Sequence, residues 1–128
     1  MNNQPAPAHF WRWFDPRHHQ LGTWAFILNR VTALGLTLYL ALHLVALSQL
    51  AMGPQAYDSF IVLAKTPVIK IGEILVIAAG IIHGLNGIRI ALSSFGIGVR
   101  FQKQIFAGLM AVAAVGILVF AVSMFGGA

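Results

Sequence analysis

WAFILNRVTALGLTLYLALHLVALSQLAM, residues Trp24–Met52, is the stretch on which the fold turns. It is almost continuously apolar, and at about 1.5 Å per residue a helix of this length crosses a hydrocarbon layer of about 30 Å with some tilt. The stretch therefore predicts a first membrane span over residues 24–52. Gly53-Pro54-Gln55 ends it. The polar, amphipathic segment from Ala56 to Thr66, with Asp58 and Lys65, predicts a short interfacial helix over 56–66, and Pro67 suits the first turn of the next helix. A second span is expected over 67–95, closed by Gly96-Ile97-Gly98, and a third over 104–125, closed by Gly126-Gly127.

Composition agrees with this reading. Of 128 residues, 59% are hydrophobic and 9% charged, with a mean hydropathy of +0.82. Too few polar side chains remain to cover a water-facing surface. The fold class is an all-α membrane protein of three transmembrane helices in a single domain, residues 1–128. The net charge of +5 does not indicate nucleic acid, because the cations are scattered between apolar runs rather than gathered on one face. It reports topology and anionic lipid. With no cysteine in the chain, disulfides, thiolate zinc sites and iron–sulfur clusters are excluded here, so any metal must be held by His or oxygen.

Residues 1–23 lack the short apolar core and small-residue cleavage site of a signal peptide and read as a cytoplasmic interfacial segment. Phe10, Trp11, Trp13 and Phe14 beside Arg12 and Arg17 suit an anchor under the headgroups. His9, His18 and His19 lie outside the spans, where a solvated imidazole is the default. Arg12, Arg17, Arg100 and Lys103 sit with the N-terminus and the loop between the second and third spans. Lys65 and Lys70 sit on the other side, so the N-terminus is expected to face the cytoplasm.

An ionisable residue inside a span is costly unless it faces a partner, a cavity or a cofactor. Arg30, His43, Glu73, His83 and Arg89 make up that set. His83 has Gly80, Gly84 and Gly87 close by on its helix, a stripe with almost no side-chain bulk beside an imidazole. Such a pair of glycines also serves tight helix packing. The added imidazole fits a b-type haem, which needs an axial nitrogen and room for a porphyrin face. His43 differs from His83 in depth by roughly 12 Å, so the two are poor candidates for opposite sides of one haem. An interhelical hydrogen bond is the plainer role for His43. Arg30 and Arg89 lie where haem propionates or a quinone headgroup could be met, and snorkelling to the interface accounts for either without a ligand. Lys70 and Glu73, three residues apart, suggest a local ion pair.

FILNRVTALG at residues 26–35, GPQAYD at 53–58, KTP at 65–67 and HGLNGIR at 83–89 resemble the cytochrome b membrane-anchor subunit of succinate dehydrogenase, respiratory complex II. The similarity runs from Trp24 to Phe101. The order PQAYD, KTP, HGLNGIR looks like the form in actinobacterial and archaeal-type enzymes, so a prokaryotic cell membrane is implied. The resemblance implies a subunit that pairs with a second three-helix anchor and with it holds an iron–sulfur subunit and a flavoprotein subunit. FAD and the iron–sulfur clusters would sit in those partners, and this chain would not be catalytic alone. His83 matches the axial haem b ligand, and Gly84 and Gly87 would pack against the haem. Arg30 matches the arginine near the quinone and the haem propionates, and Arg89 the arginine of the GIR element. His43 corresponds to a first-span histidine of two-haem forms, where it would ligate a second haem.

Three positions depart from the family's pattern: Asn29 stands for the histidine before the arginine, Phe26 for a serine expected at the quinone, and Ile90 for the second histidine of GIRH. Thr32, Asn29 or Trp24 would then have to serve as quinone-binding groups. Haem-free relatives of the same kind act as structural anchors, and the same anchor serves succinate oxidation or fumarate reduction. A small transporter subunit, the reading outside this family, is disfavoured by the lack of acidic relay residues beyond Glu73.

Overall fold

A computed structural model describes residues 20–126. The aromatic cluster Phe10–Phe14, Arg12, Arg17 and the histidines 9, 18 and 19 lie outside the described residues, as does the rest of the N-terminal segment before Gln20.

The described residues form four helices: α1 over Leu21–Ala51, α2 over Pro54–Ala64, α3 over Pro67–Ser94 and α4 over Gln102–Gly126, with a single 3-10 turn at Val99–Phe101. The three long ones each suffice to cross a membrane, with mean hydropathies of 1.8, 1.9 and 2.7 along the chain. The breaks follow from local chemistry. Gly53 takes φ +107°, and Pro54 opens α2 at the position where its missing N–H is no loss. Thr66 and Pro67 repeat the device for α3. At the far end of α3, Gly96 adopts φ +76°. The Ile97 N–H then donates to the Leu92 carbonyl at 2.9 Å and the Gly96 N–H to that of Ser93 at 2.9 Å, a Schellman closure. Gly98, at φ +70°, starts the tight turn into α4.

The first span starts three residues earlier than the hydropathy alone places it, at Leu21 rather than Trp24. Leu21-Gly22-Thr23 is weakly apolar, but Gln20 supplies the extended residue whose carbonyl takes the first backbone bonds, from Thr23 and Trp24. The fourth helix likewise gathers in Gln102 and Lys103.

α3 is the middle helix, packed along α1 on one side and α4 on the other, while α1 and α4 touch little. The start of α1, the end of α3 and the start of α4 share one end of the bundle. The end of α1, α2, the start of α3 and the end of α4 share the other. Among the described residues only Ala25, Phe106, Ala113, Thr32 and Asn86 are buried. Leu34, Leu38, Leu44, Val45, Leu75 and Leu118 are among the large apolar side chains left more than half exposed. A water-soluble domain could not carry that surface; in a membrane, lipid tails and partner helices cover it.

Candidate functional site

His83 lies halfway along α3, half-buried against α1. Its Nδ1 is 3.2 Å from the Asn29 carbonyl oxygen and 3.3 Å from Thr32 Oγ1. A carbonyl can only accept, so this bond places the ring proton on Nδ1. The Thr32 hydroxyl turns its own hydrogen back on α1, to the Leu28 carbonyl at 2.6 Å, and leaves a lone pair towards the imidazole. Two acceptors from α1 therefore fix both the ring's orientation and its tautomer, and Nε2 carries the free lone pair. This is the outer-shell arrangement that prepares a histidine for a metal.

Gly80, Gly84 and Gly87 lie alongside, and a Cβ built on any of the three would meet nothing within 4 Å. Among the described residues the stripe therefore does not serve helix packing; it leaves a smooth open face on α3 next to the imidazole. Among the described residues no three His, Asp or Glu side chains converge on one point. A metal at His83 would need its other ligands from outside the chain, as a porphyrin iron has from its macrocycle and from an opposite axial ligand.

The two histidines do not share a site. His83 packs at the level of Asn29 and Thr32, and His43 lies eleven residues beyond Thr32 on the same helix, about 16 Å further along. His43 is exposed, with its Nδ1 3.3 Å from the Tyr39 hydroxyl and the two rings 5.3 Å apart. It lines a cavity of about 720 Å³ between α1, α2 and α3, together with Tyr39, Gln49, Tyr57 and Glu73. A hydroxyl can donate or accept, so nothing there fixes the His43 tautomer.

The arginines part company as well. Arg30 is exposed on α1 and folds over the Phe26 ring, 4.5 Å from its centroid. Phe26, which stands where a polar group would be expected, thus has a contact of its own with the cation. Arg89 is half-buried and points into the bundle. Its Nε donates to Asn86 Oδ1 at 2.9 Å and an Nη to Gln102 Oε1 at 2.7 Å, with the guanidinium 5.6 Å from the Phe106 ring. Asn86, fully buried, passes its Nδ2 hydrogen to the Ala25 carbonyl at 3.1 Å. Gln102 in turn donates to Ser93 Oγ at 2.6 Å, and Ser93 to the Arg89 carbonyl at 2.8 Å. The network ties α1, α3 and α4 at one end of the bundle.

Asn86, Ser93 and Gln102 are missed when only ionisable residues are searched for. The signal that could have found Asn86 is an uncharged amide three residues before an arginine in an otherwise apolar span; nothing comparable marks Ser93 or Gln102. The suggested Lys70–Glu73 pair does not form. Lys70 Nζ instead donates to the Met124 carbonyl at 3.4 Å and lies 5.9 Å from the Phe125 ring, because the end of α4 offers a free carbonyl and an aromatic face beside it. Of the residues considered for quinone, Thr32 is buried, Asn29 and Trp24 are half-buried, and Asn29 Oδ1 is a buried acceptor with no donor in reach among the described residues.

Three spans pinned by a polar network at one end, with an oriented imidazole beside an open face, define a multi-pass integral membrane subunit that other components complete. The model of the succinate dehydrogenase/fumarate reductase transmembrane subunit family matches residues 2–123, and the chain belongs to that family. It is similar to the succinate dehydrogenase 2 membrane subunit SdhC of Mycobacterium tuberculosis, 31% identical over 83 residues, 64% of this chain and 61% of that one. It is also similar to the succinate dehydrogenase hydrophobic membrane anchor subunit of Halobacterium salinarum, 31% identical over 105 residues, 80% of this chain and 78% of that one. The match thus spans about three fifths of the mycobacterial subunit's length. Both relatives are prokaryotic, in keeping with a prokaryotic cell membrane.

Proposed function

We propose that this chain is the cytochrome b anchor of a succinate:quinone oxidoreductase, with its N-terminus on the cytoplasmic side, and that His83 is an axial ligand of a haem b. The observation that carries the reading is the Nδ1 contact to the Asn29 carbonyl, which holds the ring and leaves Nε2 as the free donor. The open face at Gly80, Gly84 and Gly87 supports it, because a porphyrin could lie against that backbone without a clash. When bound, the haem would supply one-electron storage between the iron–sulfur partner and the quinone.

The chain's own residues do the positioning. Asn29 and Thr32 set the imidazole, and the Asn86–Arg89–Gln102 network holds α1 and α3 in the register that brings those groups together. Arg30, exposed at the same level of α1, is the cation within reach of a haem propionate or a quinone headgroup, and Arg89 is fastened by its amide partners near that edge. Trp24, Asn29 and Thr32 are the groups through which this chain would border the quinone. The second anchor, whose helices would cover the glycine face and supply a further iron ligand, and the iron–sulfur and flavoprotein subunits are the partners. Succinate would be oxidised, or fumarate reduced, at the flavin of another subunit.

A second haem at His43 has one observation in its favour, the 720 Å³ cavity that the imidazole lines. The reading is tested by the reduced-minus-oxidised spectrum of the detergent-extracted complex. The expected b-type bands vanish in His83→Ala while the subunit stays in the membrane. If His83→Ala keeps the wild-type bands, His83 is not a haem ligand; if the wild type reduces quinone without b-type bands, the chain is a haem-free anchor.

A further inference from the structure

The end of the bundle where α1 starts carries Arg89, Arg100 and Lys103, and the only acidic residues among those described, Asp58 and Glu73, lie at the other end. Arg89 is the informative member. It is half-buried, yet both groups that hold its guanidinium are neutral amides, Asn86 Oδ1 at 2.9 Å and Gln102 Oε1 at 2.7 Å. A cation partly withdrawn from water and held rigidly by uncharged acceptors is stabilised when an anion completes it.

Arg89 also borders a cleft of about 180 Å³, lined besides by Gln20, Leu21 and Gly22 of the α1 start and by Gln102, Lys103 and Phe106 of α4. The cleft is large enough for a phosphate group and too small for a haem. It is separate from the face beside His83. At about 100° per residue, Arg89 lies roughly 170° around α3 from the middle of the Gly80–Gly84–Gly87 stripe. Its depth suits a headgroup, since Arg89 is five residues from the end of α3, about 7.5 Å, within reach of the phosphate layer for a long cationic side chain.

We propose that the Arg89–Lys103 cleft binds a phosphate group, supplied by an anionic membrane phospholipid, and that this anion locks the junction of α1, α3 and α4. Arg89 offers directed guanidinium donors and Lys103 a mobile ammonium, while Gln102 holds Arg89 in place. The lipid thereby clamps three helices through the network that already joins them.

The test is the thermal midpoint of the delipidated, detergent-extracted complex with added phosphatidylglycerol, phosphatidylcholine or inorganic phosphate. Phosphatidylglycerol is expected to raise the midpoint by several degrees and phosphatidylcholine to raise it far less. Lys103→Gln, an exposed change that leaves the haem spectrum intact, should lose at least half of that rise, and Arg89→Gln nearly all of it. If Arg89→Gln does not assemble, Lys103→Gln alone decides. A rise reproduced by inorganic phosphate keeps the phosphate site and makes solution phosphate its source. Equal rises with both lipids, or a phosphatidylglycerol response untouched by either substitution, overturn the proposal. So does a wild type indifferent to all three additives.

Discussion

At the residue scale the chemistry rests on what the neighbours of a polar side chain do with its hydrogens. His83 was legible from the sequence because an imidazole among glycines in an apolar span has few roles besides ligating a metal or bonding to a neighbouring helix. Its tautomer was not legible, because that depends on a backbone carbonyl 54 residues away. Thr32→Val should leave the Asn29 contact in place and change the spectrum little, whereas shifting the α1 backbone at Asn29 should change it much. Asn86 is the most demanding position. Asn86→Leu removes the bond to the Ala25 carbonyl and strips an acceptor from a half-buried guanidinium. A loss of about 2 kcal/mol is expected, slightly above the top of the range for interhelical polar contacts in membranes. It would be read as a lower thermal midpoint of the extracted complex. Asn29 Oδ1 gives a contrasting case. It is a buried acceptor without a donor among the described residues. If a partner or a quinol hydroxyl supplies that donor, Asn29→Leu lowers quinone reductase activity while leaving the subunit inserted; an activity equal to wild type would mean that the oxygen is idle.

At the element scale the hydropathy pattern and the Gly and Pro breaks carried the three spans and the short helix between them. The ends moved by a few residues because hydropathy does not register the polar residues that begin a helix, Gln20 before α1 and Gln102 in α4. The Lys70–Glu73 expectation failed for a related reason. Spacing on one helix says who could meet, but the end of α4, distant in sequence, offered Lys70 a carbonyl instead. Two glycines separate backbone need from surface need. Gly98 has φ +70°, and a Cβ there would come within 2.6 Å of the Ile105 side chain. Gly98→Ala should therefore cost about 1–2 kcal/mol of stability by strain at the turn. Gly84 has open space around it. Gly84→Leu should leave insertion of this chain unchanged and abolish capture of haem and second anchor, read by co-purification from the membrane.

At the scale of the whole molecule, a chain with five buried residues among those described leaves most of its apolar surface to lipid and to other subunits. Expressed without its partners it should be degraded or aggregate, since the faces beside His83 and around His43 have no cover among the described residues. Three spans put the described ends on opposite sides of the membrane, and the proposed orientation, argued from Arg100 and Lys103 at the turn beside the start of α1, puts that end in the cytoplasm. A reporter fused after residue 128 should therefore be active on the outer side only. The family was legible from short motifs, while the division of labour among them needed the fold: HGLNGIR supplies both the oriented imidazole and the Asn86–Arg89 fastening, on different flanks of one helix.

The most direct test of the account is the number of haems per flavin, by pyridine haemochrome, in the extracted complex of wild type, His43→Ala and His83→Ala. His83→Ala is expected to lower the count by one haem relative to wild type. A second haem, if bound, would be lost on its own with His43→Ala. A wild-type complex that reduces quinone with no haem, or a His83→Ala complex with the full count, would contradict it.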